Sequence, residues 1–223
     1  MAITTLNLRG INRSDTATSG QVITATSAVA ADFQDAAGGA WTHIKTLTSD
    51  GSDSDLQFVN GSASVVFDAT YKIYRFVWQT IHAETDTAIF GFQVSDDTGS
   101  SYGIASTQSS ERFYNKDSAP KSQDIGTGTT NTAGGTGLLN FNSHVGADAD
   151  QSQSGWMNFY NPAETTFSKL WEGSCANYTS NDYINHHVVA GIIIPTAAVD
   201  AIQFKFSTGE IQGGTISMYG LTT

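Results

Sequence analysis

The sequence predicts an all-β protein: a jelly-roll-like antiparallel β-sandwich with long loops and at most one short helix. Three observations predict it. Runs of β-branched and aromatic residues recur at short spacing, separated by clusters of Gly, Asn, Asp and Ser. Helix-period patterns are scarce. The 223 residues include 22 Gly but only 3 Pro, with 12 Phe, 8 Tyr and 4 Trp. That is enough aromatic volume for one sizeable core, and a single sandwich can use this length in full.

The first 27 residues read as an N-terminal arm or docking segment, β-like at Leu6, Leu8, Val22 and Ile23, with a polar gap from Asn12 to Gly20. Residues 28–223 read as one sandwich domain. Ala28 to Ala37 permits a short helix, which Gly38 and Gly39 would end. Strand composition follows at Trp41 to Thr48. Leu56 to Val59 and Val65 to Phe67 come next, separated by an Asn60-Gly61 turn signal. Tyr71 to Ile81 and Thr87 to Ser95 are long aromatic runs that bracket a polar hairpin, His82 to Asp86; Asp96 to Ser101 is a further turn. Ser118 to Gly137 has no hydrophobic periodicity and reads as a long loop or insertion, and Asp148 to Gly155 as a second polar loop. Strands resume at Trp156 to Tyr160, Thr166 to Tyr178, Tyr183 to Ile194, Ala201 to Ser207 and Gly214 to Leu221. The strand spacing suits a sandwich or jelly roll, and no fixed repeat points to a solenoid or propeller.

The charge narrows the partners. Ten Lys and Arg against 21 Asp and Glu leave a formal charge of -11. Such a chain repels phosphate backbones and anionic bilayers, so neither nucleic acid nor a membrane is an expected partner. The longest apolar run, near Val188 to Ile194, is far below the ~20 residues of a membrane span. Met1 to Gly10 lacks a basic start followed by an apolar core, so no secretory signal is expected. Cys175 is the only cysteine, which excludes an intrachain disulfide and fits synthesis in a reducing cytoplasm.

No residue pattern marks a reaction. Asp50, Asp53 and Asp55 share a loop, but their order does not match a calcium loop, and a solvated turn is the better reading. Asp96-Asp97 and Asp148 to Asp150 read the same way. His43, His82, His144, His186 and His187 have no chelating spacing, and adjacent His186 and His187 in a strand point to opposite faces. Cys175 reads as a buried, inert thiol. Glu84, Glu111, Glu164, Glu172 and Glu210 show no pairing that marks a glycosidase. No catalytic residue, cofactor or metal is therefore assigned. Of Trp41, Trp78, Trp156 and Trp171, most read as core. Trp156 and Tyr160 flank loops and are the pair to stack on a sugar, if a sugar is bound.

Three stretches resemble a recurrent class of tailed-bacteriophage virion proteins. They are Trp41 to Ser49 with Leu56-Gln57-Phe58; Phe67 to Tyr74 leading to Phe92 to Ser95 and the turn to Tyr102; and Ile202 to Phe206 followed by Ser207 to Leu221. The last is similar to the "SSG-x-I-x-x-G-T-x-x-L-Y-G" close of phage structural proteins. The resemblance implies a non-enzymatic structural protein on the particle exterior, a capsid decoration or tail-associated appendage. It implies assembly in the host bacterial cytoplasm, packing against other virion proteins and a homo-oligomer, a trimer being favoured. The alternative it leaves open is a receptor-binding module for a host surface glycan, with Trp156 and Tyr160 as contacts.

Overall fold

Alternating inward aromatics and outward polar residues dictate strands that bury one face, and the chain folds accordingly. The computed structural model describes residues 21–25, 31–35, 40–116, 126–127 and 133–221. The chain divides into two compact units, Met1–Ala40 and Trp41–Thr223. In the first unit β1 (Gln21–Ala25) pairs antiparallel with β2 (Ala31–Asp35). The helix permitted over Ala28 to Ala37 is thus replaced at its centre by a strand. Pairing gives each extended segment a backbone partner, and that tertiary ladder overrides a weak local preference. The rest of that stretch, and residues 2–20 of the arm, lie outside the described residues.

The second unit holds β3 (Trp41–Thr48), β4 (Leu56–Val59), β5 (Ile73–Ala83), β6 (Phe90–Ser95), β7 (Ser106–Lys116) and β8 (Gly126–Thr127). It continues with β9 (Leu139–Asn140), β10 (Gln153–Tyr160), β11 (Lys169–Tyr178), β12 (Tyr183–Ile193), β13 (Ala201–Phe206) and β14 (Ile211–Leu221). Two sheets face each other, ordered β3-β14-β5-β10-β11-β12-β7-β8 and β4-β13-β6-β9. The strand pairs are antiparallel. Four strands of the wide sheet, β3-β14-β5-β10, opposite β4-β13-β6-β9, reproduce the jelly-roll order, with the chain alternating between sheets. The hairpin β11–β12 and the strands β7 and β8 widen one sheet only.

Crossing between sheets corrects two local readings. His82 to Asp86 is not a hairpin, because β5 and β6 belong to different sheets; their buried sides face each other across the core rather than lying side by side. Val65 to Phe67 is a loop, although Val65 and Phe67 are buried. The Phe67 amide donates to Asn60 Oδ1 at 2.9 Å instead of joining a ladder. Beyond these, β7 occupies residues for which apolar periodicity predicted no strand. Its inward positions include Ser106, Gln108, Ser110 and Arg112, so the face it turns inward carries no apolar alternation there.

The core is aromatic. Phe58, Phe76, Phe90, Phe92, Phe141, Phe204, Trp78 and Trp171 are all buried between the sheets. Edge and tilted contacts link them, such as Trp78–Phe141 at 4.3 Å, Phe92–Trp171 at 4.8 Å and Phe76–Phe204 at 5.2 Å. Such pairs add about 0.5–1.5 kcal/mol each beyond area burial. Buried Lys169 donates its Nζ to the carbonyls of Thr196, at 2.6 Å, and Ala197. It thereby ties the start of β11 to the loop before β13.

Gly213 and Gly214 sit where β14 slips register against β5. Gly214 has φ +107°, and a Cβ there would lie 2.6 Å from the Thr80 carbonyl oxygen, whereas a Cβ on Gly213 would meet nothing within 4 Å. Gly214→Ala is expected to destabilise the fold by about 2 kcal/mol or more. Gly213→Ala is expected to cost under about 1 kcal/mol. Urea unfolding of the two variants checks the contrast.

Candidate functional site

Trp156 and Tyr160 lie on the outer face of the wide sheet, half-buried rather than open. Register lines up His43, Tyr219, Arg75, Asn158 and Glu172 across five adjacent strands beside them. The Arg75 guanidinium carbon sits 4.7 Å from the Trp41 ring and 5.0 Å from the Trp156 ring. Arg75 Nε donates to Asn158 Oδ1 at 2.8 Å, and Tyr160 donates its hydroxyl to Glu172 Oε1 at 2.5 Å. Burial, then Glu172, raises the Tyr160 pKa and keeps the phenol protonated. The predicted pair is therefore engaged with its own sheet. Its rings brace an arginine and a glutamate.

The other candidates separate. Asp50 accepts from the Ser52 amide and hydroxyl at 3.0 and 2.8 Å, and these bonds lower its pKa. Asp97 accepts from the Ser95 hydroxyl at 2.6 Å and from the Ser101 amide and hydroxyl at 2.9 and 2.8 Å, holding its pKa at about 2. Both acidic turns thus spend their carboxylates on local donors. Glu84 accepts from the Glu210 amide, and Glu164 from the Thr165 and Thr166 amides. Among the described residues no group of three His, Cys, Asp or Glu could hold a metal. Cys175 is buried, its thiol donates to the Phe141 carbonyl at 3.1 Å, and burial pushes its pKa up. Trp78 and Trp171 belong to the core.

The histidines divide between the faces. His43 Nε2 bonds Thr46 Oγ1 at 2.8 Å, and His186 Nε2 bonds Ser174 Oγ at 2.7 Å, both on the outer side. His82 Nδ1 bonds the Gln151 carbonyl at 2.7 Å. His187 faces inward and is buried. It sits in a polar interior beneath β7 and β12, with Gln108, Ser110, Asn177 and Asn185. Of the narrow sheet, the two-residue β9 and its flanking segments within 133–151 lie against this part. Gln108 holds Asn140 by both its amide and carbonyl, at 2.8 and 3.1 Å, and Asn177 donates to the His144 carbonyl at 2.6 Å.

Where β7 and β12 run past that loop, a cavity of about 230 Å³ opens, lined by Arg112, Tyr114, His144, Asn181, Tyr183 and Asn185. The Tyr114 and Tyr183 rings meet edge to face at 5.6 Å. Arg112 lies 5.0 Å over the Tyr114 ring, and Lys116 Nζ 5.3 Å over the Tyr183 ring. Arg112 Nε and Asn185 Nδ2 are buried without a hydrogen-bond partner. Burial first, and Arg112 second, lower the pKa of both His144 and His187, the latter to about 3. Both imidazoles are neutral at neutral pH. Sequence reading named His144 and Tyr183 separately but neither Arg112 nor Tyr114, since both sit on the strand that apolar alternation does not reveal.

Comparison with family models, with curated proteins and with solved structures returned no match for this chain.

Because His187 titrates near 6.5 when unfolded and at about 3 when folded, the folded state binds fewer protons between those values. Stability therefore rises with pH across that window and is lost on acidification through it. Lowering the pH from 7 to 5 is expected to cost roughly 2 kcal/mol through this group. His187→Gln is expected to reduce that slope, measured as urea midpoints at the two pH values.

Proposed function

We propose that the chain is a non-enzymatic structural module on the exterior of a tailed-phage particle, a capsid decoration or tail-associated appendage. One observation carries the reading. The three resembling stretches fall on β3–β4, on β5–β6 and on β13–β14. These are six of the eight jelly-roll strands, while β9 and β10 of the frame and the inserted β7, β8, β11 and β12 lie outside the resemblance. A resemblance concentrated on frame strands supports a structural role more than a site-based one.

The physical properties support the same role. A jelly roll with a dense aromatic core needs no disulfide or metal to hold its shape. An acidic surface keeps many copies soluble before assembly. A wide sheet ends in strands that a neighbouring copy can cover, which suits a symmetric homo-oligomer such as a trimer. Residues 1–27 are a candidate docking arm toward neighbouring virion proteins.

Quantitative mass spectrometry of purified particles is the test. Copy numbers near that of the major capsid protein are expected for a decoration, and a few copies for an appendage; absence from particles overturns the proposal. Deleting residues 2–27 is expected to block incorporation, and normal incorporation of the truncated chain would show that those residues are not the arm.

A further inference from the structure

The geometry points to a binding site for a carboxylate-bearing sugar residue in the cavity at the ends of β7 and β12. Arg112 and Asn185 would receive the carboxylate, with Tyr114 and Tyr183 flanking the ring. This goes beyond the structural role and does not depend on it.

Charge is the first ground. Twenty-one acidic residues outnumber ten cations in this chain, yet among the described residues the lining of the cavity contains Arg112 and no carboxylate. Among the described residues its guanidinium donates to Ser143 Oγ, distant at 3.4 Å, and Nε has no acceptor. A half-buried guanidinium without an anion carries a desolvation cost that an incoming carboxylate offsets by charge-assisted bonds.

The unmet donors are the second ground. Asn185 is only 2% exposed, lines the cavity, and leaves Nδ2 without an acceptor. Buried donors left open are costly and uncommon. Here the two unmet donors, Arg112 Nε–H and Asn185 Nδ2–H, are enclosed atoms of residues that line one cavity, and both call for an acceptor. A metal cation is excluded by the same chemistry, because the site presents a cation and amide donors.

Shape selects a sugar over a bare ion. Two tyrosine rings form a wall on which a pyranose face can rest, and Asn181 adds an amide able to bond hydroxyls of either polarity. A volume of about 230 Å³ suits a single sugar residue rather than a long oligosaccharide.

The intact protein, labelled with ¹⁵N, is titrated with glucuronate, galacturonate and N-acetylneuraminate. Glucose, galactose, acetate and inorganic phosphate are run in parallel. At least one acidic sugar is expected to shift the Asn185 side-chain amide and to bind at least roughly tenfold more tightly than the neutral sugars and the small ions. Arg112→Gln and, at the rim, Tyr183→Ala are each expected to weaken that binding roughly tenfold or more, with thermal unfolding used to confirm that each variant is folded. The proposal is overturned if no acidic sugar moves the Asn185 amide. It is equally overturned if neutral sugars bind as well, if acetate or phosphate binds as well, or if a folded variant binds undiminished.

Discussion

Four strands cannot cover eight. This mismatch in width between the two sheets governs the interior of the protein. Over the jelly-roll frame the sheets match, and the space between them fills with Phe and Trp side chains in edge and tilted contact. Beyond the frame the inner face of β12 and β7 meets the two-residue β9 and the irregular segments that flank it within 133–151. Irregular segments bring backbone groups that need partners. The inward side chains there include Gln108, Ser110, Asn185 and His187, with Gln108 and Asn177 bonding that backbone, whereas Val189 and Ile193 of β12 join the apolar core.

A polar interior of this kind is specific but costly. Of the buried side-chain atoms without partners among the described residues, those of Arg112, Asn177, Asn185 and His187 fall in this zone, and that of Gln153 at the start of β10 borders it. The remaining two are the indole nitrogens of Trp78 and Trp171. The frame supplies stability through apolar burial, and the inserted strands spend part of it on holding polar groups in place. Function is favoured where such groups converge on open space, which happens at the ends of β7 and β12.

The two faces of the wide sheet divide the chemistry. The outer face pairs aromatic rings with charge, as where Trp41 and Trp156 brace Arg75 and Tyr160 bonds Glu172. Those interactions close on themselves. The inner face, one residue away along the same strands, leaves donors open. His186 and His187 illustrate the division: one bonds Ser174 on the surface, the other is buried and kept neutral. The strict two-residue period of a strand turns a single step in sequence into a change of environment.

Strand composition, turn residues and the scarcity of helical patterns were sufficient for the fold class, because each depends on local backbone preference and on alternation with period two. The aromatic core was legible for the same reason: Ile202, Phe204 and Phe206 declare their face by spacing alone. Local pattern was silent where partners come from distant segments. It could not say that β5 and β6 lie in opposite sheets, since a polar link reads alike whether it closes a hairpin or crosses a core. It missed β7, whose inward residues are polar, Gln108 among them bonding the backbone of the two-residue β9. The cavity was beyond its reach, because Arg112, His144 and Asn185 meet only when β7, β12 and the loop after β9 come together. Burial, and with it the cost of an unpaired charge, is a property of that assembly and not of any segment in it.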